Sequence, residues 1–238
     1  MAEWFQEWFN EDYLALYAHR DDGDAARLVA LLRRSLPWDP SWRVLDVACG
    51  PGRHARALEA AGARCFGLDL SMPLLRRARQ VTAIPLIRAD MRRIPVRPRS
   101  MDLTVNLFTS FGYFEEDAEH RVALEAMVGT VRPGGWFAID FLNADRVRSA
   151  LVPSEAATLG GHAVSVTREL SGGGRFVRKT ISAADGRRWQ ERVRLFGIGE
   201  LESMLEVAGV GISHRFGDYD GGPPSAEAPR VVLLGQVP

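Results

Sequence analysis

Residues 44–52 read Val44-Leu45-Asp46-Val47-Ala48-Cys49-Gly50-Pro51-Gly52, and Asp69 follows seventeen residues after Gly52. A short apolar run carries an acid near its end, and a Gly-x-Gly turn comes next. A helical stretch starts near Arg53, and a second apolar run, Cys65 to Leu68, ends in another acid. This succession is a β-α-β unit with two carboxylates and two glycines gathered at the carboxyl ends of its strands. Lacking a Cβ, Gly50 and Gly52 permit a sharp turn and a close approach of backbone to a ligand. The free amides of the first helical turn point at the same place. An ionised Asp69 there accepts charge-assisted hydrogen bonds from the two hydroxyls of a ribose. Asp46 faces the other end of a nucleoside ligand, directly or through water.

Two ligand classes use such a unit. The stretch Gly50-Pro51-Gly52-Arg53-His54-Ala55 satisfies the G-x-G-x-x-A pattern of dinucleotide sites as well as that of sulfonium nucleosides. A carboxylate at Asp46 repels a pyrophosphate and suits a cationic amino-acid moiety. The pattern Asp46-x-x-x-Gly50-x-Gly52, then Asp69, resembles motif I and its acidic partner in class I S-adenosylmethionine-dependent methyltransferases, notably bacterial small-molecule enzymes. The resemblance extends over Arg88-Ala89-Asp90-Met91 after a third strand, Met101 to Asn106 as a fourth, and Val131-Arg132-Pro133-Gly134-Gly135 turning into Trp136 to Phe141 as a fifth. It implies an α/β fold: a Rossmann-like seven-stranded sheet in the order 3-2-1-4-5-7-6 with strand 7 antiparallel. It also implies S-adenosyl-L-methionine as cofactor and S-adenosyl-L-homocysteine as product. The cofactor residues it implies are Tyr17, Arg20, Asp46, Ala48, Gly50, Gly52, His54, Asp69, Leu70, Asp90, Met91, Asn106, Leu107 and Phe108. In this reading Asp90 stands against the adenine amino group and Arg20 near the methionyl carboxylate.

The 238 residues suit one α/β domain with an insert. Equal numbers of acidic and basic residues, 30 each, give no global attraction to nucleic acid or to an acidic membrane. Residues 76–99 nevertheless hold eight arginines and one acid, a solvated face or a basic patch. The chain has Asn106-Leu107-Phe108-Thr109 where nucleic-acid amino-methylating enzymes carry an Asn/Asp-Pro-Pro-aromatic motif, which argues against that class. Lys179 is the single lysine among the 30 basic residues. Two isolated cysteines, Cys49 and Cys65, form neither a metal-ligand set nor a disulfide framework. No metal is expected. With no signal-like opening or spanning apolar run, a cytoplasmic protein is expected, as monomer or homodimer.

Along the chain, residues 1–40 are read as an N-terminal helical lid, with Phe5, Phe9, Tyr13 and Tyr17 recurring every four residues on one helix face. Residues 41–147 form the cofactor-binding core. Residues 148–197 break the strand–helix alternation: Ala163 to Glu169, Arg175 to Ile181 and Arg188 to Phe196 read as an antiparallel insertion on the substrate side. Residues 198–238 complete the core with a helix and a hairpin.

An in-line displacement at a sulfonium methyl asks the protein mainly to align the nucleophile and exclude water. The catalytic candidates are therefore few. Tyr113 lies just past the fourth strand and offers a ring face to a cation. His120, on the next helix, is a candidate base or a surface residue. Asp218, Tyr219 and Asp220 leave the sixth strand on the ligand edge and are candidates for binding a cationic acceptor. Transfer of a methyl group to N or O of a small molecule is the expected function. A nicotinamide-dependent oxidoreductase, a non-catalytic S-adenosylmethionine-binding protein and an RNA methyltransferase remain open alternatives.

Overall fold

The structure, a computed structural model, describes residues 3–17 and 22–238. Its centre is a seven-stranded sheet built from β1 (Arg43–Val47), β2 (Arg64–Asp69), β3 (Leu86–Arg88), β4 (Met101–Asn106), β5 (Val131–Leu142), β10 (Gly211–Phe216) and β11 (Arg230–Gln236). The order across it is β10-β11-β5-β4-β1-β2-β3, with β11 antiparallel to both neighbours and β1 to β5 mutually parallel. This is the expected Rossmann-like order. All six residues of β4 are buried, as expected of a strand covered on both faces.

Helices cover both faces. On one, α3 (Gly23–Ser35) and α4 (Arg53–Ala60) pack Leu28, Leu31, Leu32 and Leu58 against Val44, Leu103 and Val105. On the other, α6 (Asp117–Val128) and α8 (Ile198–Val207) pack Leu124, Met127, Leu201 and Leu205 against Leu45, Val47 and Ile139. Between β2 and β3 runs α5 (Met72–Val81), whose N-cap Ser71 accepts a hydrogen bond from the Leu74 amide and whose second position is Pro73.

After β5 and the short α7 (Ala144–Ser149), a four-stranded antiparallel sheet is inserted: β6 (Ser154–Leu159), β7 (His162–Ser171), β8 (Phe176–Ala183) and β9 (Arg188–Arg194). Only three of these strands carry a sequence signal. The segment Ser154-Glu155-Ala156-Ala157-Thr158-Leu159 is poor in β-branched and aromatic residues and is a strand because it pairs with β7 through Thr158↔Ala163 and its neighbours.

The aromatic N-terminus forms two short helices, α1 (Trp4–Trp8) and α2 (Glu11–Leu16), where one continuous helix was expected. Asn10 breaks the run: its side chain accepts from the amides of Asp12 and Tyr13 and starts a new helix. The two helices cover the inserted sheet, where Trp8, Leu16 and Tyr17 pack on Val164, Val166 and Ile181.

Candidate active site

A cavity of about 810 Å³ opens at the carboxyl ends of β1 to β4 and runs on to the inserted sheet, with α1 and α2 along one side. Its nucleoside-sized end is built by the turn after β1. Gly50, at φ +56°, has open space where a Cβ would project, so any larger residue would both strain the turn and fill the space in front of it. Gly52 has a different reason. It caps α4 at φ +87°, and a Cβ there would lie 3.2 Å from that of Ala78 on α5, so this glycine serves helix packing and does not line the cavity.

Asp69 lines the cavity at the end of β2. Its Oδ2 accepts from the Gly50 amide and its Oδ1 from the Ser71 amide, both at 2.8 Å. The two bonds orient the carboxylate and leave each oxygen with lone-pair capacity. Burial pushes the Asp69 carboxyl up to about 6, against the opposing pull of the backbone amides. Asp46 is 1% exposed, behind the same turn, and its Oδ2 has no hydrogen-bond partner among the described residues. Burial first, and then the charge of Asp69, raises Asp46 to about 8, while Arg53 and the Ala55 amide pull the other way. His54 lines the cavity, its buried Nε2 without a partner among the described residues; burial, reinforced by Arg53 and Arg230, lowers its pKa to about 3, so the imidazole is neutral.

Further residues named from the sequence fall into two groups. Ala48, Leu70, Asp90, Met91, Leu107, Phe108 and Tyr113 line the cavity. The Asp90 carboxylate is engaged by Arg92, whose fork also reaches Glu3 and Glu119. The second group lies elsewhere. Asn106 is buried inside the sheet and donates to the Val47 and Ser110 carbonyls, tying β1 to the loop after β4. Tyr17 sits between α2 and the inserted sheet, where its hydroxyl donates to Glu191 Oε1 at 3.1 Å. His120 is fully buried among Phe111, Phe114 and Phe196, accepts the Phe114 amide at Nε2, and is lowered to about 4 chiefly by burial. It is neither a surface residue nor part of the cavity wall. Arg20 lies outside the described residues.

The acids leaving β10 also have other employment. Asp220 pairs with Arg27 at 2.7 Å, and Asp218 accepts from the amides of Asp220 and Gly222. Tyr219 is buried and its hydroxyl donates to Asp140 Oδ2 at 2.8 Å. Sequence reading overlooked Asp140, the hub beneath the loop after β4. Asp140 Oδ2 also accepts the Phe108 amide at 2.9 Å, and its Oδ1 accepts Arg230 Nε at 2.8 Å. Arg230 reaches on to Thr109 Oγ1 at 3.0 Å. Phe108 and Thr109 both have left-handed backbones, φ +58° and +62°, so this network holds two non-glycine residues in a costly conformation at the cavity wall. The only available signal was a buried acid in the middle of an apolar strand, Ile139-Asp140-Phe141.

The basic stretch 76–99 does not present all its charge outward. Arg92 is held by three acids and stacked over the Phe114 ring, while Arg88, which lines the cavity, is itself exposed.

Residues 44–135 match the family described as a methyltransferase domain. A malonyl-[acyl-carrier protein] O-methyltransferase of Enterobacter lignolyticus is 30% identical over 191 residues, covering 78% of this chain and 70% of the relative. The chain belongs to the class I S-adenosylmethionine-dependent methyltransferase family. Another member of that family, a dTDP-3-amino-3,6-dideoxy-alpha-D-glucopyranose N,N-dimethyltransferase of Streptomyces fradiae, is 36% identical over 126 residues, 50% of this chain and 48% of that one. The chain spans between 48% and 65% of the length of the first curated methyltransferases it matches, the Streptomyces fradiae enzyme among them. The methyltransferase fold is shared with the CcbJ methyltransferase from Streptomyces caelestis, at a TM-score of 0.80 and 17% identity over 96% of this chain and 97% of that structure. The cavity residues fit the family's cofactor. A fixed carboxylate at Asp69 and an open glycine at Gly50 suit a ribose, and Asp46, buried behind the turn and not part of the cavity lining, keeps one oxygen without a partner among the described residues on the amino-acid side.

Proposed function

We propose that this protein transfers a methyl group from S-adenosylmethionine to a nitrogen or oxygen atom of a small molecule. The observation that carries this reading is the continuity of one cavity from the Gly50–Asp69 turn to the inserted sheet. A nucleoside site and an acceptor site inside one enclosure are what direct transfer requires, and a pure binding module has no need of the second half. Relatives named for O-methylation of a malonyl-carrier protein and for N,N-dimethylation of an amino sugar support a transferase that takes N or O targets.

In this reading Asp69 holds the ribose hydroxyls, and Leu70 and Met91 form apolar walls for the base. Asp46 and the turn amides face the amino-acid end. When bound, the cofactor supplies an electrophilic methyl and a neutral thioether leaving group. The residues of this chain then align and desolvate. Trp4, Phe9 and Tyr113 form an aromatic wall, with the Tyr113 ring centroid 5.3 Å from that of Trp4 and 5.5 Å from that of Phe9. Ring faces tolerate a cationic centre and exclude water. The Tyr113 hydroxyl donates to the Thr109 carbonyl at 2.7 Å, so its role is the wall and not proton removal. His120 takes no part, being outside the cavity.

Calorimetry with S-adenosylmethionine and S-adenosylhomocysteine, followed by methyl-label transfer to panels of amines and alcohols, tests the reading. Micromolar binding of both and label in a small product are expected. Absence of binding to either nucleoside would overturn it.

A further inference from the structure

The far half of the cavity is a charged row on a sheet face that otherwise carries apolar residues and one further acid, Glu155, opposite Val166. Arg168 on β7, Lys179 on β8 and Glu191 on β9 stand directly opposite one another in register, and all three line the cavity. On one side of this row the same face carries Val166 and Ile181, covered by Trp8, Leu16 and Tyr17. On the other side it carries the directly paired Val177 and Val193, which also line the cavity. Two like charges placed directly opposite on neighbouring strands disfavour the pairing. Here Glu155 offsets Arg168 and Glu191 offsets Lys179, so what marks the row is two cations side by side on the cavity wall, one of which can exchange its partner for a ligand.

Their existing partners differ in kind. Glu191 is anchored: its Oε1 accepts Trp8 Nε1 at 3.0 Å and the Tyr17 hydroxyl at 3.1 Å, while its Oε2 lies 3.6 Å from Lys179 Nζ. Lys179 also contacts the Tyr17 hydroxyl, so it is a compact charge held at a defined point of the wall. Arg168 is held loosely. Its guanidinium makes one hydrogen bond among the described residues, from Nη2 to Glu155 Oε1 at 2.7 Å, and the Glu155 side chain is 43% exposed. The Arg168 side chain is 26% exposed, so this is a half-buried pair whose acid partner reaches solvent and can be released. An arginine fork offers five N–H donors matched to planar or tetrahedral oxyanions.

We propose that Arg168 and Lys179 form an anion-recognition subsite for the methyl acceptor, which therefore carries a carboxylate or a phosphate. The inference rests on the reading of the cavity as a methyl-transfer site and goes beyond it by giving the acceptor a charge. In it, Arg168 grips the oxyanion bidentately, exchanging Glu155 for the ligand. Lys179 adds a point charge whose position is set by Glu191, Tyr17 and Trp8. Because Trp8 and Tyr17 belong to the N-terminal segment, the subsite is complete only when that segment is docked.

The single lysine makes the test direct. Acetylation of Lys179 by an amine-selective reagent is followed by peptide mass spectrometry at constant ionic strength, with and without S-adenosylhomocysteine. Glucose 1-phosphate and malonate serve as anionic probes and glucose as neutral control. Protection by glucose 1-phosphate alone assigns a phosphate, protection by malonate alone assigns a carboxylate, and glucose gives none. In calorimetry Arg168→Gln weakens the protecting probe by about tenfold, and Arg168→Lys recovers part of the loss. Both variants should bind S-adenosylhomocysteine like the parent, which shows that they fold. If neither anion protects Lys179 in protein that binds the nucleoside, or if Arg168→Gln binds the probe unchanged, the subsite is refuted while the transferase reading stands. Failure of the parent to bind the nucleoside refutes the transferase reading instead.

Discussion

Two carboxylates a turn apart do opposite things at the cofactor end. Asp69 is fixed by two backbone amides and keeps lone pairs for further donors, whereas Asp46 is buried with one oxygen that has no partner among the described residues. Replacing Asp69 by alanine removes a charged acceptor, so S-adenosylhomocysteine should bind at least about tenfold more weakly by calorimetry. An unchanged affinity would take Asp69 out of the site. Ribose hydroxyls favour the ionised form, and the free protein holds Asp69 near 6. Affinity should therefore fall as pH drops from 7 to 5, and Asp69→Asn should flatten that dependence. Asp46 bears on stability. Its folded value near 8 lies above that of an unfolded aspartate, about 4, so between those values the unfolded chain has released a proton that the folded chain keeps. Stability of the cofactor-free protein should decline as pH rises through that window. In denaturant titrations Asp46→Asn should show a shallower decline; an identical slope would mean that Asp46 is ionised in the fold.

Among the elements, the loop after β4 is the one whose shape depends on distant partners. Phe108 and Thr109 keep left-handed backbones because Asp140 from β5 takes the Phe108 amide on its side chain and the Thr109 amide on its carbonyl, while Tyr219 and Arg230 hold the Asp140 carboxylate. Tyr219→Phe deletes one buried bond and should lower unfolding free energy by about 1–2 kcal/mol. If the loop shapes the cavity wall, nucleoside affinity should fall along with it. A stability loss with affinity intact would confine Tyr219 to a packing role. The N-terminal helices are short for independent stability. What holds them is Trp8 and Tyr17 against the inserted sheet, Trp4 Nε1 on the Tyr113 carbonyl, and Glu3 on Arg92.

At the scale of the molecule, one cavity joins three parts far apart in the chain: the parallel core, the N-terminal helices and the inserted sheet. Ligand binding should couple them. Hydrogen exchange should slow together in α1, α2 and β7 to β9 when nucleoside and acceptor are both present, and slow mainly at the turn after β1 with nucleoside alone. Uniform slowing by the nucleoside alone would mean that the two halves close as a unit.

The parallel strands and the meeting of Gly50 with Asp69 were legible in the linear chain, because they rest on local chemistry: apolar runs of strand length, a glycine turn, and an acid at a strand end; the strand order came from the family resemblance alone. The half of the cavity at the inserted sheet was legible only in outline. β6 has no strand composition of its own, Asn10 splits what looks like one helix, and Asp140, Tyr219 and Arg230 meet only when β5, β10 and β11 become neighbours. His120 reads as a solvated histidine on an amphipathic helix until Phe111 and Phe196 close around it. Arg168 and Lys179 are unremarkable charges in sequence. Register between β7 and β8 sets them side by side, and packing of the N-terminal helices turns their face from a surface into a wall.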